Sequence, residues 1–392
     1  MILHPNFIDT CEMINDTARL LEVTGFLADE TELALDLEMD SLHHYREKIC
    51  LIQIATRAGR WLIDPLALKD LSALSKLLKS DDTLIVIHGA DYDIRSLHRD
   101  FGIEIGNLFD TMIAARFLGH AEFGLAVLLK TQFGVELDKR YQKSDWSKRP
   151  LPPEMLAYAA ADVAYLLRLY DQLQEDLISQ GRLEWLQEEC ALVCATRLIE
   201  KEGPLFLSCK GAAKLDGRSL AILDNLLQLR DFWANKLDRP LFKVFSVETL
   251  IEIAEKKPKN SDELSAIKGI SPGQIKRYAD RILSIIASCL NLLEAKLPSF
   301  PRNVRTEPCE KAKKRLKSLK LWRKEKSVSL TLDPGVIAPN WLLERIASVG
   351  PVAPEDLNNI TGMRDWQKGA YGAEILAVMK QEDESISNNL KL

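Results

Sequence analysis

Residues in three short stretches have the types and spacing for chemistry. In "TELALDLEMDSL", residues 31–42, Leu33, Leu35 and Leu37 alternate as on a β-strand, and Asp36 and Glu38 fall on the opposite face. Like charges so placed repel, and one takes up a proton unless a cation stands between them. In "IVIHGADYDIRSLHRDFG" an aliphatic strand ends at His88 and Gly89, and Asp91 and Asp93 follow where a helix begins. Helix capping is the plainer role for either aspartate taken alone. In "LAYAAADVAYLL" Tyr158 and Asp162 share one helical face at i, i+4, while Ala159, Ala160 and Ala161 let a neighbour approach closely.

Carboxylates drawn from three segments are hard oxygen ligands of the kind that hold Mg²⁺ or Mn²⁺. Zinc does not suit the pattern, because all six histidines lie at or before His120 and no cysteine is near the acidic segments. Metal-assisted phosphodiester hydrolysis is the leading chemistry: two divalent ions about 3.5 to 4 Å apart activate water and stabilise the leaving oxygen. No Ser or Cys nucleophile motif and no glycine-rich phosphate loop occurs, so no nucleotide cofactor is expected.

The elements that must carry these residues are short strands and helices in alternation. Strand-like runs occur at 33–37, 48–56, 60–64 and 83–88, and helical spacing at 91–101 and 110–118. That pattern predicts an α/β domain with a mixed sheet, its first three strands an antiparallel meander. After "RPLPPEML" the pattern turns to long helices, and from about residue 205 it is wholly helical. A shift of 93 residues superimposes Leu250 on Leu343, Ile253 on Ile346, Gly269 on Gly362, Gln274 on Gln367 and Tyr278 on Tyr371, so a small helical module is duplicated. Trp233 and Trp322 are only 89 apart, which predicts a loop four residues longer after Trp322.

Length and composition allow two or three domains, with 46% apolar residues among 392. Seven cysteines without a C-x-x-C pair are expected as reduced core thiols. The start, "MILHPNFIDTCEMIND", lacks a basic segment, and no apolar run approaches the roughly 18 residues that cross a bilayer. A cytoplasmic protein without signal peptide or membrane span is expected. The net charge is −5, yet eleven Lys or Arg face three Glu between Arg302 and Lys326, and "KRYQKSDWSKRP" is also basic.

Taken in order, "LDLEMDSL", "HGADYDIRSLHRDFGI" and "LAYAAADVAYLL" resemble the three motifs of the DEDD superfamily of 3′-to-5′ exonucleases, most closely bacterial ribonuclease D. "CLIQIAT", "LFDT" and "YQKSDWSKRPL" are similar to that family between the motifs, and the duplicated module resembles HRDC domains. The resemblance implies an RNase H-like α/β exonuclease domain over 1–205 and two all-α HRDC-type domains over 206–297 and 298–392. It implies that Asp36, Glu38, Asp93 and Asp162 hold two divalent ions, Mg²⁺ or Mn²⁺, with Asp36 bridging them and Tyr158 orienting the attacking water. Counting from "HGA" selects Asp93 and leaves Asp91 as a helix cap; Ala157, where the histidine subclass has its histidine, favours the tyrosine subclass.

Leu42 matches a wedge position against terminal bases, with core packing as the alternative; Arg140, Lys143 and Arg149 are phosphate-contact candidates. The implied activity is removal of nucleotides from an RNA 3′ end as nucleoside 5′-monophosphates by a monomeric enzyme, with tRNA precursors as the implied substrate. A DNA exonuclease of the same superfamily and an inert nucleic-acid-binding scaffold are the alternatives.

Overall fold

The computed structural model describes residues 11–198, 203–301 and 309–389. Among them six strands form one sheet: β1 (Cys11–Ile14), β2 (Glu32–Met39), β3 (Ile49–Ala55), β4 (Arg60–Ile63), β5 (Leu84–Ile87) and β6 (Asn107–Asp110), in the order β1-β4-β3-β2-β5-β6. β1 runs parallel to β4, β3 antiparallel to β4, and β5 parallel to both β2 and β6, so the sheet is mixed as expected. β2 is therefore an interior strand, and its Leu33, Leu35 and Leu37 are buried. The four-residue β1 and β6 have no counterpart in the sequence pattern: each is too short to show a period and is fixed by its neighbour.

Among the described residues eight helices accompany the sheet: α1 (Thr17–Leu27), α2 (Ser72–Leu78), α3 (Asp91–Phe101), α4 (Thr111–Phe117), α5 (Leu125–Phe133), α6 (Pro153–Ala164), α7 (Leu166–Ser179) and α8 (Leu183–Cys194). α6 starts with Pro153 in its first turn, where a missing N–H costs nothing, and packs on β3 and β4. Trp146, fully buried, joins Cys50, Leu51, Leu62, Met155 and Tyr158 in one apolar cluster beneath it.

The rest is helical: α9 (Gly217–Leu237), α10 (Leu241–Val244), α11 (Val247–Lys256), α12 (Ser261–Ser265) and α13 (Pro272–Leu290), then α14 (Glu310–Leu330), α15 (Pro334–Ile337), α16 (Asn340–Val349) and α17 (Asp365–Asn389). α9 and α14 begin and end 93 residues apart, as do α10 and α15 and α11 and α16. The register is locked by the same bonds: Gln274 donates to the Val244 carbonyl at 2.7 Å and Gln367 to that of Ile337 at 2.9 Å. The longer loop expected after Trp322 is thus corrected. Trp233 and Trp322 stand one helical turn apart on equivalent helices, and each meets the equivalent tyrosine, Tyr278 at 5.4 Å and Tyr371 at 5.8 Å.

The described residues fall into two compact units. One holds 11–38, 49–198 and 309–389, the other 39–48 and 203–301. In the first, the second repeat packs on the α/β body. Trp366 stacks on Trp185 with centroids 4.6 Å apart, and Arg364 pairs with Glu189 at 2.8 Å. The Glu188 carboxylate accepts the Asp365 and Trp366 amide N–H groups at 2.8 Å, capping α17. No helix among the described residues is long and apolar enough to cross a membrane. All seven cysteines are free; Cys50, Cys190 and Cys289 are buried, whereas Cys309 is exposed and so departs from the expected core thiols.

Candidate active site

Asp36, Glu38 and Asp162 come together with their ligand oxygens all within 4.8 Å of one another. β2 supplies the first two by its two-residue period, and α6 supplies the third. The Tyr158 hydroxyl, one turn before Asp162, donates a hydrogen bond to it. The phenol is fixed from below by Tyr141 and Trp146, at ring distances of 6.0 and 5.9 Å.

Asp93 stands on the first turn of α3, buried and outside that tight group, but its charge acts on Glu38 and Asp36 acts on it. The expected cap role of Asp91 is corrected. Asp91 is the first residue of the helix rather than its cap, and its carboxylate pairs with Arg95. The start of α3 is held by a residue that the sequence reading missed. Asp110, almost wholly buried, accepts the N–H groups of Gly89 at 3.0 Å and Ala90 at 2.8 Å together with those of Met112 and Ile113 on α4. An Asp before a helical run is a cap signal in "LFDT", but its reach to "HGA" needs the fold.

Burial holds all these acids towards the neutral form. It raises Asp36 to about 7, Asp162 to about 8 with help from Asp36, and Glu38 to about 10 with help from Asp36, Asp162 and Asp93. Asp93 is raised well above the usual range by burial and then by Asp36 and Asp110. Every charge that acts on these four groups is another carboxylate. A largely buried acidic group, made only of oxygen donors and with no cationic side chain among the described residues acting on it, fits a hard divalent cation. Asp36, Glu38 and Asp162 would hold it, with Asp93 beside them.

Asp36, Glu38, Tyr158 and Asp162 line a cleft of about 410 Å³ whose wall also includes Gly124–Val127, Leu137, Asp138, Lys139 and Gln142. Lys139, Gln142 and His88 in its wall were not singled out from the sequence as contacts. His88 bonds Thr111 through Nδ1 at 2.9 Å, and burial lowers its pKa, keeping it neutral.

The expected phosphate contacts divide. Arg140 is exposed, with its guanidinium tied to Asp138 at the cleft wall, and Lys143 is exposed on the same loop. Arg149 is a correction: its fork binds Asp64 at 2.6 and 2.7 Å, and its other N–H groups go to the carbonyls of Trp146, Lys148 and Cys50. Its five donors are used by the protein, so it braces the loop instead of meeting a phosphate. Leu42 lies in the other unit and is 37% exposed. In the basic run, Arg302 and Arg305 are outside the described residues; Lys311 and Arg315 pair with Asp383, and Lys326 with Glu374.

A six-stranded mixed sheet with acids on its central strand and on two flanking helices defines a metal-dependent exonuclease fold. Residues 11–178 match the 3′-5′ exonuclease family, and residues 219–286 and 312–379 each match the HRDC domain. Exosome complex component 10 of Mus musculus is 32% identical over 70% of this chain, but the chain spans only 32% of that protein's length. Ribonuclease D of Haemophilus influenzae is 30% identical over 85% of this chain and 84% of its own. The structure of Escherichia coli RNase D, an exoribonuclease involved in structured RNA processing, superimposes with a TM-score of 0.71 at 25% identity, covering 94% of this chain and 98% of the other. The chain belongs to the ribonuclease D family.

Proposed function

We propose that this protein is a 3′-to-5′ exoribonuclease that shortens RNA one nucleotide at a time and releases nucleoside 5′-monophosphates. The reading rests on one observation: Asp36, Glu38 and Asp162 converge in a cleft with the Tyr158 hydroxyl on Asp162. Two divalent ions, Mg²⁺ or Mn²⁺, when bound there supply activated water and charge stabilisation at the scissile phosphate.

The chain's own residues do the rest. Asp36, Glu38, Asp93 and Asp162 must give up their protons to bind cations, and Tyr158 holds the attacking water through the same hydroxyl that touches Asp162. Lys139, in the cleft wall, neutralises a backbone phosphate, and Arg140 and Lys143 on the adjoining loop extend that contact. A cleft of about 410 Å³ takes one unpaired terminal nucleotide and excludes a duplex end. Leu42 serves as a wedge against the last bases. Residues 1–205 act as the catalytic domain, 206–297 and 298–392 as HRDC domains. The protein works as a cytoplasmic monomer, and the 3′ trimming of tRNA precursors is its task.

Matched 5′-labelled RNA and DNA single strands, incubated with Mg²⁺, with Mn²⁺ or with EDTA, test the reading. The RNA should shorten from its 3′ end to mononucleotides only when a divalent ion is present. Exclusive DNA cleavage would overturn the substrate, and undiminished activity in EDTA the chemistry.

A further inference from the structure

A second concavity, of about 300 Å³, lies within the catalytic unit where α4 faces the second repeat. Its wall includes Arg116 of α4, Trp341 and Gly362 of the repeat, and the Arg364 and Glu189 pair. With those two charges cancelled, Arg116 leaves the wall net positive; it makes no ion pair among the described residues and lies 5.5 Å from the Phe123 ring. Phe123 is 37% exposed and directly precedes Gly124, which lines the acidic cleft. Phe123 thus links a residue of each concavity, Arg116 through its ring and Gly124 through the chain.

Trp341 is 50% exposed, a large apolar surface that folding left uncovered. It is nevertheless held in place. Gly362 has φ +87°, and a Cβ there would come within 2.7 Å of the indole, so the ring rests against bare backbone. The equivalent position in the first repeat, 93 residues earlier, is Glu248. An exposed indole beside an uncompensated guanidinium is thus peculiar to the repeat that packs on the catalytic body.

We infer that Phe123, Arg116 and Trp341 form a track for an unpaired RNA strand leading away from the metal cleft, with a base stacked on Trp341 and a phosphate on Arg116. Flat aromatic surfaces alternating with cations are what single-stranded nucleic acid needs, because every base has a π-face and every step a phosphate. The inference rests on the exoribonuclease reading above and adds where upstream nucleotides lie. The track does not touch the scissile phosphate, so it governs the binding of long substrates and leaves the chemical step alone.

The test compares Trp341→Ala, Trp341→Phe and Arg116→Gln with the wild type on a single-stranded RNA of about 20 nucleotides and on a dinucleotide too short to leave the metal cleft. Trp341→Ala should raise KM for the long RNA about tenfold or more with kcat unchanged, and Trp341→Phe should restore most of the loss. Arg116→Gln should flatten the dependence of log Kd on log salt by about 0.7 for the long strand. Turnover of the dinucleotide should match the wild type in all three. Wild-type KM for the long RNA in Trp341→Ala would overturn the track. Equal losses on both substrates would also overturn it, marking Trp341 as a structural residue. A wild-type protein inert on both RNAs would instead overturn the exoribonuclease reading, and the track with it.

Discussion

Replacing Asp162 with Asn should make the metal-free protein more stable while destroying its activity. Asp162 titrates near 8 instead of 3.8, because it is buried and faces Asp36. A carboxyl whose folded pKa is raised favours the folded state fully only below the unfolded value. That advantage is lost as pH rises from about 4 to about 8, since the folded chain keeps a proton the unfolded chain has given up. At pH 7, about three pH units above 3.8, the cost is about 4 kcal/mol, an upper bound because Asp36 shares the shift. Asn has no proton to hold, keeps the volume, and still accepts the Tyr158 hydroxyl.

Calorimetry in EDTA should therefore show the catalytic unit of Asp162→Asn melting several degrees above the wild type, at about 2 to 4 °C per kcal/mol. Added Mn²⁺ should narrow the difference. At a hundred times its Kd the ion stabilises the wild type by about 2.7 kcal/mol, and the variant, short of a ligand, by much less. Mononucleotide release should be abolished. A variant less stable than the wild type in EDTA, or one whose melting point responds equally to Mn²⁺, would refute the view that these acids are held apart from their ordinary ionisation to receive a cation.

Further expectations concern protons, the tyrosine and the loop. Divalent-ion affinity should rise from pH 6 to pH 9, with protons released on binding, because Asp162 at about 8 and Glu38 at about 10 must ionise first; calorimetry in buffers of different ionisation enthalpy counts them. Tyr158→Phe should lower kcat by about 10- to 100-fold while KM stays near the wild-type value, since only the hydroxyl on Asp162 is lost; steady-state kinetics on RNA separates the two. Arg149→Ala should destabilise the fold by about 3 kcal/mol, leaving Asp64 buried without its partner, and should not change the salt dependence of RNA binding; denaturant unfolding and filter binding check both halves.

What the sequence made legible depended on local periods. Asp36 and Glu38 were readable because Leu33, Leu35 and Leu37 alternate with them, and Tyr158 with Asp162 because a helical turn is about four residues. Arg149 was misread for a physical reason: a basic loop residue looks the same whether its partner is a phosphate or Asp64, which lies 85 positions away in the chain. The reach of Asp110 to the start of α3 was hidden in the same way, being set by β5 and β6 lying side by side. The spacing of Trp233 and Trp322 suggested a loop insertion because two different helical turns supply the ring that meets the equivalent tyrosine.

The glutamine that closes each repeat constrains how such a chain can change. Gln274 accepts the Ser271 N–H while donating to Val244, and Gln367 accepts the Arg364 N–H while donating to Ile337. One amide thus measures the contour length from the end of one short helix to the start of the last, and a single inserted residue would pull one of its two bonds apart. The copies are free to diverge in composition at the surface, as Glu248 and Trp341 have, but not to gain or lose length between those points. Duplicated modules of this kind accumulate new surfaces by substitution, and accept insertions only outside the span the amide ties together.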